Sequence, residues 1–219
     1  MKSEMGVRQT IAWFKLAEFV NRGEKERALS LFRLLTHSFD DKAFIKKLGA
    51  EVLASFDDTQ AFIEYAHAAH LYKVQGDVVE AVAIYELLTV LQPSVSEHFE
   101  KVIAAFQEMG NGLKVLQYQK QLCELMLCQG NIDRGIVLFK EIEPFFDESE
   151  KLFFFKKIVQ ESLLHRYAQR AVITEYLERS LKGLLKSAGE ADLNQFLMIL
   201  QGLDGMWYKD ALVYVQNFI

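Results

Sequence analysis

Apolar residues recur along this chain at helical rather than strand spacing. Over 77–91, Val78, Val79, Ala81, Val82, Ile84, Tyr85, Leu88 and Leu91 fall at steps of three and four and leave Glu80 and Glu86 polar. Gly76 supplies the left-handed residue that closes the preceding helix, Asp77 caps the next one, and Pro93 stops it. The same reading along the whole chain predicts helices near 8–21, 25–38, 42–55, 59–75, 77–91, 95–109, 113–129, 132–143, 149–164, 167–187, 190–202 and 206–217. The linkers are short, as in helical arrays, and "EMGNG" (108–112) and "AGEAD" (188–192) are the clearest breaks.

The punctuation repeats. Arg22-Gly23-Glu24, Gln75-Gly76-Asp77 and Gln129-Gly130-Asn131 each precede an apolar helix with a small-then-aromatic pair: Ala28/Phe32, Ala81/Tyr85 and Gly135/Phe139. The three glycines stand 53 and 54 residues apart, too far for two helices and a turn. The segment 48–69 lies between the first two and follows the same logic around Asp57-Asp58, with Ala61, Tyr65 and Ala68 after the turn. From Gly23 to Phe56 is about one 34-residue step, the period of a common helical repeat.

These residues resemble the tetratricopeptide repeat. Segment 62–93 matches best, through Tyr65, Ala68-Ala69, Tyr72, Gly76-Asp77, Ala81, Tyr85, Leu88 and Pro93. Segment 9–41 matches through Leu16, Phe19, Gly23, Ala28, Phe32 and Leu35; 42–75 and 116–147 follow more loosely, and 148–219 diverges. The resemblance implies an all-α fold: a right-handed superhelix of about 10–12 antiparallel helices forming a single domain over 1–219. Residues 61–75 fit both helix roles of the repeat, as in a stack where each helix packs on both neighbours. In such arrays the first helices of successive pairs build a concave surface. By resemblance that groove would use Trp13, Ala17, Val20, Lys46, Ala50, Leu53, His70, Lys73, Lys120 and Glu124, a lining suited to an extended or helical peptide of acidic character.

Composition narrows the functional classes. With 219 residues, 51% hydrophobic and 25% charged, the chain is globular, and its formal net charge of −5 argues against a nucleic-acid partner. No run is apolar enough to span a bilayer and no signal segment opens the chain. Cys123 and Cys128, the only cysteines, lie five apart on one predicted helix and so point about 140° apart, which suits neither a disulfide nor a shared metal. A cytoplasmic location is the expectation.

Few residues suggest chemistry. His67 and His70 could share a helix face, but no further ligand stands at a telling distance, so no metal and no cofactor are expected. Phosphate loops, nucleophile elbows and paired cysteine motifs are lacking, and no catalytic residue is proposed. In "KLFFFKKI", Phe153, Phe154 and Phe155 cover about 200° of the helix; they are either wedged between neighbours or an anchor for a partner. Trp207, Val215 and Phe218 leave the last helix apolar on more than one side. It either folds back on the helix before it or contacts a second copy, making a homodimer through the C-terminal helices. The expected function is a non-catalytic scaffold or adaptor that binds a peptide or helix of a protein partner. The alternatives are a secretion- or assembly-system chaperone shielding an apolar client segment, and a regulatory domain of an enzyme.

Overall fold

In the computed structural model the backbone is described for residues 2–37, 39–187 and 190–218, and the side chains for 11–37, 39–186 and 190–217. The described residues form twelve α-helices and no strand: α1 (Lys2–Asn21), α2 (Lys25–Thr36), α3 (Lys42–Ala54), α4 (Gln60–Gln75), α5 (Val78–Leu91), α6 (Ser96–Glu108), α7 (Gly112–Cys128), α8 (Ile132–Ile142), α9 (Glu148–Leu164), α10 (Arg170–Ser187), α11 (Glu190–Leu203) and α12 (Gly205–Phe218). A 3₁₀ turn, Glu143–Phe145, follows α8. Each helix coincides with one predicted from the sequence; the largest shifts are the starts of α1 and α10. The chain forms two compact units, residues 1–111 and 112–219, so the division falls inside "EMGNG".

Six helices end in the same backbone lock. Gly23, Asp57, Gly76, Gly110, Gly130 and Arg166 are the described residues with positive φ. After each, the next N–H reaches back five residues, as in Asp77 N to Tyr72 O at 2.9 Å and Tyr167 N to Ser162 O at 2.8 Å. This is the Schellman closure, which satisfies carbonyls that a helix end leaves open. Side-chain caps begin other helices: Asp41 accepts from the N–H groups of Ala43 and Phe44, and Asp147 with Glu150 forms a reciprocal capping box before α9.

The locks recur every three helices. They follow α1, α4 and α7 at Gly23, Gly76 and Gly130, and α3, α6 and α9 at Asp57, Gly110 and Arg166. The linkers after α5 and α8 carry Pro93 and Pro144, the two prolines of the chain. The glycine spacing of 53 and 54 residues therefore marks one three-helix period, and the helix intervening in the sequence reading is a third helix.

Within each unit, helices pack in chain order: α3, α4 and α5 form the tightest run in the first, and α7–α8 and α9–α10 in the second. Short linkers make such neighbours antiparallel. Polar side chains add bonds to the next helix but one. Lys47 of α3 donates to Glu80 of α5 at 2.9 Å, and Lys73 of α4 to Glu108 of α6 at 2.6 Å. Lys120 of α7 likewise bonds Glu150 of α9. The separations are 33, 35 and 30 residues, so the two-helix step of about 34 residues is present as well. This stacking is that of a helical-repeat fold.

Alanine and tyrosine alternate in the core of the first unit. Ala61, Ala68 and Ala81 are fully buried, and Tyr65, Tyr72 and Tyr85, each four residues on, fill the space that close approach leaves beside them. Helix α5 is apolar on nearly all sides. The sequence reading assigned Val79 and Leu91 to the packed face, but both are exposed. A helix without a polar face gives no moment from which to choose the buried side.

The second unit is organised around aromatic rings. Phe139 stacks on Phe154 at 5.5 Å between centroids and meets Phe155 edge-on at 5.7 Å, with Tyr176 against both Phe139 and Phe155. Phe154 and Phe155 are therefore core residues and not a partner contact; Phe153 alone of the three is largely exposed. Trp207 likewise belongs to the core, as in the first of the two alternatives for the last helix. It is buried in a cluster with Phe196, Leu197 and Leu200 of α11, and the Arg170 guanidinium lies 5.1 Å over its ring. Val215 packs against this cluster, and the side chain of Phe218 lies outside the described residues.

Candidate functional site

Helix α3 packs closely on α4 and only lightly on α2. The gap is a groove of about 440 Å³ in the first unit, walled by α2, α3 and the start of α4. Its apolar floor is Leu29 and Phe32 of α2 with Ile45, Gly49 and Leu53 of α3. Gly49 makes this floor: a Cβ there would stand 3.3 Å from the Phe32 ring, so the ring lies flush against bare backbone. Size and lining match those of ligand grooves, with polar groups confined to the edge.

Two ion pairs brace the rim. Lys25 Nζ donates to Asp58 Oδ2 at 2.7 Å and so ties the start of α2 to the α3–α4 turn. This bond, with a second from the Gln60 N–H, holds the Asp58 carboxyl below its ordinary range. Lys46 pairs with Glu64 at 2.7 Å across α3 and α4. Arg33, Glu26 and Gln60 complete the edge and are exposed.

Of the groove residues expected from the sequence, Lys46 and Leu53 meet here. Ala50 is fully buried and lines no surface; its methyl group sits where α3 packs in the core. Trp13 is partly buried, its ring 5.9 Å from that of Phe39, and Val20 packs beside the Leu16–Ala28 cluster. Ala17 on α1 and His70 on α4 are exposed. Lys73 bonds Glu108; in the second unit Lys120 bonds Glu150 and lies over the Phe146 ring, while Glu124 is partly buried on α7. Each basic position singled out for an acidic peptide thus already holds a carboxylate of its own chain. That removes the basis for an acidic ligand at these positions.

Sequence reasoning noted Phe32 only as a packing residue and gave Gly49 no part in a site. Their opposition across α2 and α3 is what opens the groove, and no spacing along the chain announces it. His67 and His70 are both exposed, and among the described residues no group of three or more His, Cys, Asp or Glu is placed to hold a metal. Cys123 is buried and its thiol is pushed up to about 12 by desolvation; Cys128 is exposed. No described helix is long and apolar enough to cross a membrane.

No family model matches the chain, and no curated protein does. Among solved structures, a chain of "Structure of Naa15/Naa10 bound to HypK-THB" is similar over 96% of this chain, with 13% identity and a TM-score of 0.26. The match spans 39% of that protein's chain. The assignment to a helical-repeat fold therefore rests on the helix stacking itself.

Proposed function

We propose that this chain is a non-catalytic protein-interaction module whose first unit binds a peptide or helix of a partner in the α2–α3–α4 groove. The observation that carries this is the apolar floor around Phe32 and Gly49, open to solvent between braced, charge-neutral edges. With Lys25 and Lys46 satisfied internally, the ligand is selected by apolar anchor side chains and not by charge. Burying such anchors is favourable by about 25 cal/mol per Å² of apolar area.

The test is selection of a random peptide display library on the purified chain. Recovered peptides should share two apolar anchors. They should lose at least tenfold in affinity for Leu29→Gln and for Ile45→Gln, variants whose helicity and melting are checked first. Peptides that bind these variants as tightly as the parent chain would place the interaction elsewhere.

A further inference from the structure

A second cleft, in the second unit, has the opposite electrostatic character. It lies between the first half of α9 and the last half of α10, has a volume of about 360 Å³, and also has Glu143 in its lining. Its cations are Lys151, Arg179, Lys182 and Lys186; its carboxylates are Glu143 and Glu148. Both carboxylates are engaged, Glu143 by Arg179 and Glu148 by Lys151 at 2.7 Å. Among the lining residues four cations face two carboxylates, and Glu175 beside the cleft pairs with Arg179 at 3.7 Å, which leaves one surplus positive charge in a chain whose formal net charge is −5.

The unpaired cations are Lys182 and Lys186, one turn apart and exposed on α10, and among the described residues neither has a carboxylate within ion-pair distance. Attraction to the negative end of the α10 dipole accounts for Lys186, in the last turn; Lys182 stands a turn earlier, where that effect fades. Arg179 is fixed in place. Its guanidinium lies 4.0 Å over the Phe155 ring, bonds Glu143 and pairs with Glu175 at 3.7 Å, so it walls the cleft as an already neutralised group. Beneath the charges lies Gly183, where a Cβ would meet Leu152 Cδ1 at 2.9 Å. The absent side chain lets Leu152 reach across to α10 and gives the cleft an apolar base.

We infer that this cleft binds an acidic peptide segment of a protein partner, with carboxylates on Lys182 and Lys186 and an apolar side chain on Leu152. Charge complementarity fixes the class of ligand, because low-dielectric walls focus the field of unpaired cations. Two carboxylates one helical turn or one extended dipeptide apart, about 5–7 Å, match the two lysines. This site is separate from the α2–α3–α4 groove, and its test does not touch that groove.

The probe is a fluorescein-labelled hexapeptide, ELEEFE, compared by anisotropy with its uncharged counterpart QLQQFQ at low salt. The full chain should bind the acidic peptide at least tenfold more tightly. Lys182→Glu/Lys186→Glu should abolish the preference, Lys182→Gln/Lys186→Gln should reduce it severalfold, and Lys140→Glu on α8 should leave it intact. All variants are exposed-site changes whose melting is measured in parallel. Equal binding of the two peptides, or a preference that survives charge reversal, overturns the inference. So does a labelled hexauridylate that binds as tightly and with the same dependence on Lys182 and Lys186, since the cleft would then select for charge alone.

Discussion

Gly135→Ala tests the close contact of α7 and α8 most directly. A Cβ at this position would stand 2.6 Å from Leu127 Cδ2 and 2.8 Å from its Cγ, well inside contact distance. Leu127 is fully buried and has nowhere to swing, and the Gly135 carbonyl accepts from the Cys123 thiol at 3.3 Å, which pins the backbone. Alanine gains about 1 kcal/mol of helix propensity, while overpacking costs about 1–3 kcal/mol; the net expectation is a loss of about 0–2 kcal/mol. Leu127→Ala alone leaves a cavity and costs about 2–5 kcal/mol. In the double variant the clash disappears but the propensity gain remains. The pair should therefore be more stable than the sum of the single effects by about 1–3 kcal/mol. Urea titration followed by Trp207 fluorescence, in a Trp13→Phe background, reports the second unit alone. Gly202→Ala serves as the contrast: nothing lies within 4 Å of its added Cβ, so the same change near the end of α11 should stabilise. If the Gly135 and Leu127 effects add to within about 0.5 kcal/mol, the close approach of α7 and α8 is refuted.

Four further expectations concern local chemistry. Burial holds the His98 imidazole below its ordinary 6.5, with Lys101 acting in the same direction and Glu97 opposing, and His98 Nε2 lies 2.9 Å from Gln92 Oε1. Its contribution is therefore complete above about pH 6.5 and is lost as pH falls toward the folded-state value; His98→Gln should flatten the decline in melting temperature between pH 7 and 5. Arg166 adopts φ 53°, so Arg166→Gly should raise stability by about 0.5–1 kcal/mol in thermal melts, whereas Arg166→Val should lower it. Asp147→Ala removes the side-chain half of the α9 capping box, leaves the backbone N–H of residue 147 donating to Glu150, and should cost about 1 kcal/mol in urea titrations. Trp207→Asp should destabilise the second unit without altering the mass read by light scattering, because the ring is already buried within its own chain; a change in mass alone would restore α12 as an intermolecular contact.

Much of the helical architecture is legible because its determinants are local. A helix with Asp77 before it and a Gly76 lock behind its predecessor declares its own limits, and Tyr65, Tyr72 and Tyr85 four residues beyond buried alanines declare its packed face. The locks at Asp57 and Arg166 are harder to read, since neither residue advertises a left-handed conformation. The groove depends on relations between helices. Ala50 and Lys46 lie one turn apart on α3, yet one is enclosed and the other lines the groove, a difference set by the helices around α3. The lysines misled for a related reason: Lys46, Lys73 and Lys120 look like free cations along the sequence, but each finds its carboxylate 18 to 35 residues away. Three consecutive phenylalanines pose the converse problem. Two point into a core that is made by α8 and α10, which spacing within α9 cannot reveal.

The bonds between alternate helices have a kinetic consequence. Lys47–Glu80, Lys73–Glu108, Lys120–Glu150 and Arg170–Asp210 each close a loop of 30 to 40 residues, and the Schellman locks close loops of only a few. A chain assembled from such near-neighbour contacts has little loop entropy to overcome before its native interactions form, so folding on a timescale of about microseconds to milliseconds is expected. It can also begin at any well-locked pair of helices and spread outward, as a zipper does. The alanine–tyrosine run of α4 and α5 is the natural starting point in the first unit, and the ring cluster around Phe139 in the second. Fraying should run the other way, with amide hydrogens at α1 exchanging well before those of α4.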